Sequence, residues 1–189
     1  MACVSRYRVR PDQTAWLTLP LVFPWRDFVD DVSWAAEVAG DRALAEAPAA
    51  VRTAIAESAL TLVRAEPPLP GVQERFWWLP SIGGAVVVAH LTAVELDESL
   101  CEQPLESLVF LGAGGMVQNI TEVEGSAFDT ALDCVLLVAV EDSTIALRRL
   151  LGRTARMLLM LDVFVDDGGA LHEAQHDISA LFTSIEVVD

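Results

Sequence analysis

The chain has 189 residues, a net charge of −16 at pH 7, 53% hydrophobic residues and a mean hydropathy of +0.41. That length fits one domain spanning residues 1–189 with a sizeable core, and that apolar content excludes a disordered chain. The charge repels phosphates and anionic headgroups, which argues against nucleic acid and acidic membrane surfaces as partners; its plainest role is to keep an apolar protein soluble.

In chain order, Tyr7–Arg10 reads as a short edge segment, with Arg6, Arg8 and Arg10 alternating onto one face. Trp16–Phe23 reads as a strand ending at Pro24. The spacing predicts a helix over Asp27–Ala39, stopped by Gly40. Pro48 opens a second helix that runs to about Arg64, with Val51, Ile55, Ala59 and Leu62 on one stripe. Pro67, Pro68 and Pro70 end it.

Strands follow at Gln73–Leu79 and Ala85–Leu96, joined by a turn over residues 80–84. Cys101–Leu111 is open between a helical turn and a strand. Met116–Glu122, Ala131–Glu141, Ile145–Leu151 and Thr154–Val165 read as further strands, with turns at Asp142-Ser143 and Gly152. The run Asp166–Gly169 ends the strands, and Ala170–Ile185 is a closing amphipathic helix. Short connections favour antiparallel pairing. Leu132–Val140 is apolar on both alternations apart from Asp133, so the sheet needs cover on both faces. The expected fold is α+β: a central antiparallel sheet with helices on both faces, an α/β/α sandwich.

No lysine is present, which excludes a lysine Schiff base and the usual phosphate-binding loop. Twelve basic residues that are all Arg suggest a GC-rich bacterial genome. Three scattered cysteines, Cys3, Cys101 and Cys134, make no disulfide framework and fit a reducing compartment. Met1–Arg10 has no apolar signal-peptide core, and His90, Asp133 and Asp162 interrupt the most apolar runs. The expectation is a cytoplasmic protein without a membrane span.

His172-Glu173-Ala174-Gln175-His176 matches HExxH on the closing helix. Two His one turn apart can share a Zn²⁺, with Glu173 as general base for its bound water. A third ligand is needed. The 13 residues after His176 hold no His and only Glu186 and Asp189 as carboxylates. Cys134, 38 residues before His172, is the upstream alternative. Gly112-Ala113-Gly114 with Gln118 faintly resembles the glycine-rich motif of peptide deformylases, which also take a Cys upstream of HExxH. Leu132–Leu136 does not match that family around its Cys. On a helical wheel Leu171, Ala174, Ile178, Leu181, Phe182 and Ile185 form the apolar stripe, which leaves His172 and His176 on the polar face with Ser179.

The other candidates concern binding. Phe76-Trp77-Trp78 puts aromatics on both sides of a strand. Core packing is the first reading of that run. If a partner surface exists, Trp25, Trp77 and Trp78 are its first candidates. The acidic groups Asp27–Glu37 and Glu95–Glu106 lack a calcium-loop frame and read as solvated faces. His90, inside an apolar strand, reads as a core or sheet-surface histidine, and Asp162 as a structural ion-pair partner of Arg153 or Arg156.

The run Arg156–Val165, the glycine turn to Gly169 and the helix Leu171–Ile185 ending Phe182-Thr183-Ser184-Ile185 resemble the Mog1/PsbP-like family of α/β/α sandwiches. That resemblance implies a partner-binding or accessory protein. Bacterial members are often exported lipoproteins. This chain departs from them, since Cys3 follows only Met1-Ala2. The expectation is therefore a non-catalytic binding module acting on an unidentified protein, with a homodimer among the options and no cofactor. The alternatives are a zinc hydrolase and a small-ligand carrier.

Overall fold

The computed structural model describes residues 6–80, 86–140, 143–165 and 168–188. Cys3, the turns expected at 81–84 and at Asp142, Asp166-Asp167 and Asp189 lie outside the described residues. Seven antiparallel strands form the main sheet: β2 (Trp16–Thr18), β3 (Glu74–Trp78), β4 (Val87–Glu95), β8 (Met157–Val165), β7 (Ser143–Arg153), β6 (Thr130–Val140) and β5 (Met116–Glu122), in that spatial order. β2 and β5 are its two edges. A separate ribbon pairs β1 (Arg6–Val9) with β9 (Ile185–Val188).

Successive side chains alternate between the two faces, and each face has its own cover. On the first, Phe76, Trp78, Leu91, Leu161 and Leu150 meet Ala174, Ile178, Leu181 and Phe182 of α4 (Gly168–Thr183). On the second, Trp77 packs under α1 (Asp31–Arg42) and α2 (Ala49–Arg64). Farther along this face, Cys134, Leu136, Leu147 and Met160 pack under a 3-10 helix, Leu105–Phe110. The architecture is α+β, an antiparallel sheet with helices on both faces.

Several boundaries differ from the sequence expectation. α1 begins at Asp31 because Asp30 and Ser33 form a reciprocal cap, with the Ser33 N–H donating to Asp30 Oδ1 at 2.7 Å. It runs through Gly40 to Arg42, since glycine weakens a helix without breaking it. The first strand of the main sheet shortens to Trp16–Thr18. Cys101–Leu111 divides between a short α3 (Glu98–Cys101) and the 3-10 helix.

The turn expected at Gly152 falls later, at Thr154, whose hydroxyl accepts from the Met157 N–H at 3.1 Å. Gly152 stays inside β7, paired with Ala131 of β6 and Leu159 of β8, and the Phe128 ring lies against it. A Cβ there would meet Phe128 Cδ2 at 2.3 Å. The closing helix stops at Thr183, and the chain returns as β9 beside β1. The short edge segment expected at Tyr7–Arg10 is β1, and its partner comes from the far end of the sequence.

Candidate functional site

The HExxH residues sit on the outer side of α4. His172, Glu173 and His176 are exposed, while Ala174 and Ile178 face the sheet. Cys134 is fully buried on the opposite face of the sheet, under the 3-10 helix. Burial, with the Asp133 carboxylate beside it, pushes its thiol up to about 12. The sheet itself therefore separates Cys134 from His172 and His176, and the third zinc ligand expected there is not brought to the pair. Glu186 is engaged by Arg10, with Nε and Oε1 3.0 Å apart. Among the described residues no three His, Cys, Asp or Glu side chains converge as a metal site.

The polar side of α4 fastens the helix to the sheet. Asp177 Oδ2 accepts from Trp78 Nε1 at 2.8 Å. Arg148 donates through Nη1 to the Gln175 carbonyl at 2.8 Å and through Nη2 to Ser179 Oγ at 2.7 Å. Its Nε and Nη2 also reach both oxygens of Asp133. Asp177, next to His176, thus has a packing role.

Of the aromatic candidates, Trp77 and Trp78 are 3% and 6% exposed and belong to the two cores. Register explains this: they lie opposite Val88 and Val87 in β4, with helices over both faces. Trp25 is different. It is half-buried in the segment joining β2 to α1. Trp25 and Phe28 exchange two backbone hydrogen bonds of 2.9 Å, and their rings stack with centroids 6.3 Å apart. Arg26, at the tip, takes φ 49°, a left-handed conformation that disfavours a side chain by about 1 kcal/mol. Its guanidinium carbon lies 4.3 Å from the Trp25 ring centroid. Strained residues of this kind concentrate at functional segments.

This segment forms one wall of a groove of about 1300 Å3, with α1 and the free edge of β2 as further boundaries. The Leu19 N–H donates to the Arg75 carbonyl and the Leu79 N–H to the Ala15 carbonyl. By alternation, the backbone groups of Trp16 and Thr18 point away from β3. The Trp16 N–H is taken by the Asp12 carbonyl at 2.8 Å. Those of Thr18 have no partner among the described residues. Val22 and Val29, 73% and 75% exposed, stand on the wall segment.

The charges of the groove are unevenly occupied. Arg42 donates to the Gln13 and Thr14 carbonyls at 2.6 and 3.1 Å, Arg26 covers Trp25, and Arg10 pairs with Glu186. Glu37 and Asp41, exposed on α1, form no ion pair among the described residues. Glu74 is partly buried at the groove, and burial raises its pKa. The groove therefore offers carboxylates and aromatic rings, while its cations are already engaged.

Sequence reasoning missed a second constellation. Across the second face of the sheet, register aligns Arg75, His90, Asp162, Arg149 and Cys134 in one row. All are buried. Arg149 donates from Nε and Nη2 to the two oxygens of Asp162 at 2.6 and 2.8 Å, and from Nη1 to the carbonyls of Val109 and Leu111. Arg75 caps the end of α2 through the Leu62 and Ala65 carbonyls at 2.6 and 3.1 Å. His90 lies between the two arginines. Burial, and then the Arg75 charge, lowers its pKa to about 4. The ion-pair partner of Asp162 is therefore Arg149, directly opposite in register, and not Arg153 or Arg156 nearer the β7–β8 turn.

No helix among the described residues is long and apolar enough to cross a membrane. No family model matches the chain, and no curated protein matches it. Among solved structures the chain is similar to the solution structure of cyanobacterial PsbP from Synechocystis sp. PCC 6803, with 12% identity, 66% of this chain and 79% of that chain covered, and a TM-score of 0.42. That is a distant likeness in fold, and it leaves the groove and the buried row to be read from their own chemistry.

Proposed function

We propose that the protein is a non-catalytic binding module whose groove between β2, α1 and the Trp25 segment takes an extended, basic segment of a partner protein. The observation carrying this reading is the combination of a strand edge open at Thr18 with carboxylates at Glu37 and Asp41 that form no ion pair, both among the described residues. An added strand would satisfy the Thr18 backbone groups, and basic side chains would meet the carboxylates. Exposed Val22, which lines the groove, would lie beside the apolar residues of the segment.

A volume of about 1300 Å3 exceeds the range of roughly 300–1,000 Å3 usual for small-molecule sites, which favours a polypeptide over a carried metabolite. The zinc-hydrolase alternative has lost Cys134 as its third ligand. Kinship with the Mog1/PsbP-like family, whose resemblance implies accessory proteins, belongs to this same proposal, as does a cytoplasmic setting.

Selection of displayed random peptides on the full chain tests the reading. Basic peptides with alternating apolar residues should be enriched, and Glu37→Lys/Asp41→Lys should lose them. Enrichment of acidic peptides, or of peptides indifferent to that charge reversal, would exclude the groove as the acidic acceptor described.

A further inference from the structure

The edge opposite the groove has another character. β5 is seven residues long, and six of the seven are exposed. The Val123 N–H donates to the Ala131 carbonyl at 3.0 Å, so by alternation the backbone groups of Ile120 and Glu122 face away from β6. Proteins blunt such edges with charge, proline or brevity. β5 has no proline and no charge before Glu122, in a chain of net charge −16. Its bulge between Val117 and Asn119 leaves Asn119–Glu122 in regular register.

We propose that β5 is a self-association edge, at which two copies of this chain pair antiparallel about a two-fold axis near Ile120. Charge selects the occupant. Two chains this acidic repel each other over most of their surfaces, and β5 is a neutral strip where the repulsion is least. A basic partner finds no carboxylate to grip between Met116 and Thr121. A second β5 matches that neutrality, and pairing centred on Ile120 sets each Thr121 opposite Asn119, with the two Glu122 carboxylates on opposite sides of the axis. Met116, 64% exposed, and Leu137 of β6 lie beside the joined edge, where a second copy would cover apolar surface. A two-fold interface of this kind is self-complementary and closes after two subunits. The inference is independent of the groove, which lies at the other edge of the sheet.

Sedimentation equilibrium of the full chain, with amide hydrogen exchange at Ile120, tests it. The mass should rise with concentration from 20.5 kDa toward twice that value, and the Ile120 amide should become protected in parallel. Ile120→Pro removes an outward N–H without removing a bond to β6, and should hold the chain at 20.5 kDa. Ile120→Asp, which places two like charges at the axis, should do the same, and it guards against misfolding of the proline variant. A mass of 20.5 kDa at every concentration, a dimer that survives both substitutions, or association without protection at Ile120 would each overturn the proposal.

Discussion

Arg149 and Asp162 form a bidentate ion pair at the centre of the sheet, 0% and 1% exposed, with the same guanidinium also holding the end of the 3-10 helix through two carbonyls. Burial pushes the Asp162 carboxyl up, and the two guanidinium bonds oppose that. One side chain thereby joins β7, β8 and the helix covering them.

Removing one partner should leave a buried charge without its counterion. Asp162→Asn is expected to lower unfolding free energy by ~3–5 kcal/mol, read from urea denaturation. Replacing both partners by apolar residues, Arg149→Met with Asp162→Leu, should cost much less than the single change. A double variant as unstable as Asp162→Asn would show that the carbonyl bonds, and not the pair, dominate.

His90 supplies a pH signature. Its pKa falls from 6.5 to about 4 on folding, so the unfolded chain binds the additional proton between those values. Stability from this group is complete above pH 6.5 and is lost as pH falls toward about 4, with a limiting slope near 1.4 kcal/mol per unit. Carboxylates titrate in part of this window, so the comparison is with His90→Phe. That variant should have a flatter stability profile between pH 6.5 and 4.5; parallel profiles would place the His90 proton elsewhere.

Two glycines should respond in opposite directions. Gly40 lies in the last turns of α1 with nothing within 4 Å of an added Cβ. Gly40→Ala should raise stability by about 0.5–1 kcal/mol. Gly152→Ala places a methyl into the Phe128 ring and should destabilise by about 1–3 kcal/mol. Phe128→Leu in the same chain should recover part of that loss, and additive losses in thermal melts would argue against the contact.

The tryptophans separate packing from binding. Trp77→Ala empties part of the core under α1 and α2 and should cost ~3–5 kcal/mol. Trp25→Ala should cost far less stability yet abolish binding of peptides selected on the groove. Equal stability losses, with peptide binding intact in Trp25→Ala, would remove Trp25 from the binding surface.

Local signals account for what was legible in the sequence. Pro48 and the apolar stripe through Ile55 and Ala59 mark α2 within one turn, and the wheel of α4 rightly turns His172 and His176 outward. The antiparallel sheet followed from short connections. The β1–β9 ribbon was hidden because its register joins Arg6 to Val188 across the whole chain. The Arg149–Asp162 pair was misassigned because choosing among nearby arginines requires strand register. The start of α1 is carried by the Asp30 cap with Ser33, a polar signal that apolar spacing does not register. The groove had no single-residue signature: its wall is an irregular segment, and its acidity depends on which arginines are already bonded.

The most direct measurement is amide hydrogen exchange at Thr18 with and without a basic peptide selected on the groove. Strand addition predicts at least about tenfold slower exchange at that amide in the complex, and no such slowing in Glu37→Lys/Asp41→Lys, to which the peptide should not bind. Binding that leaves Thr18 exchange unchanged would contradict the groove as a strand-accepting site.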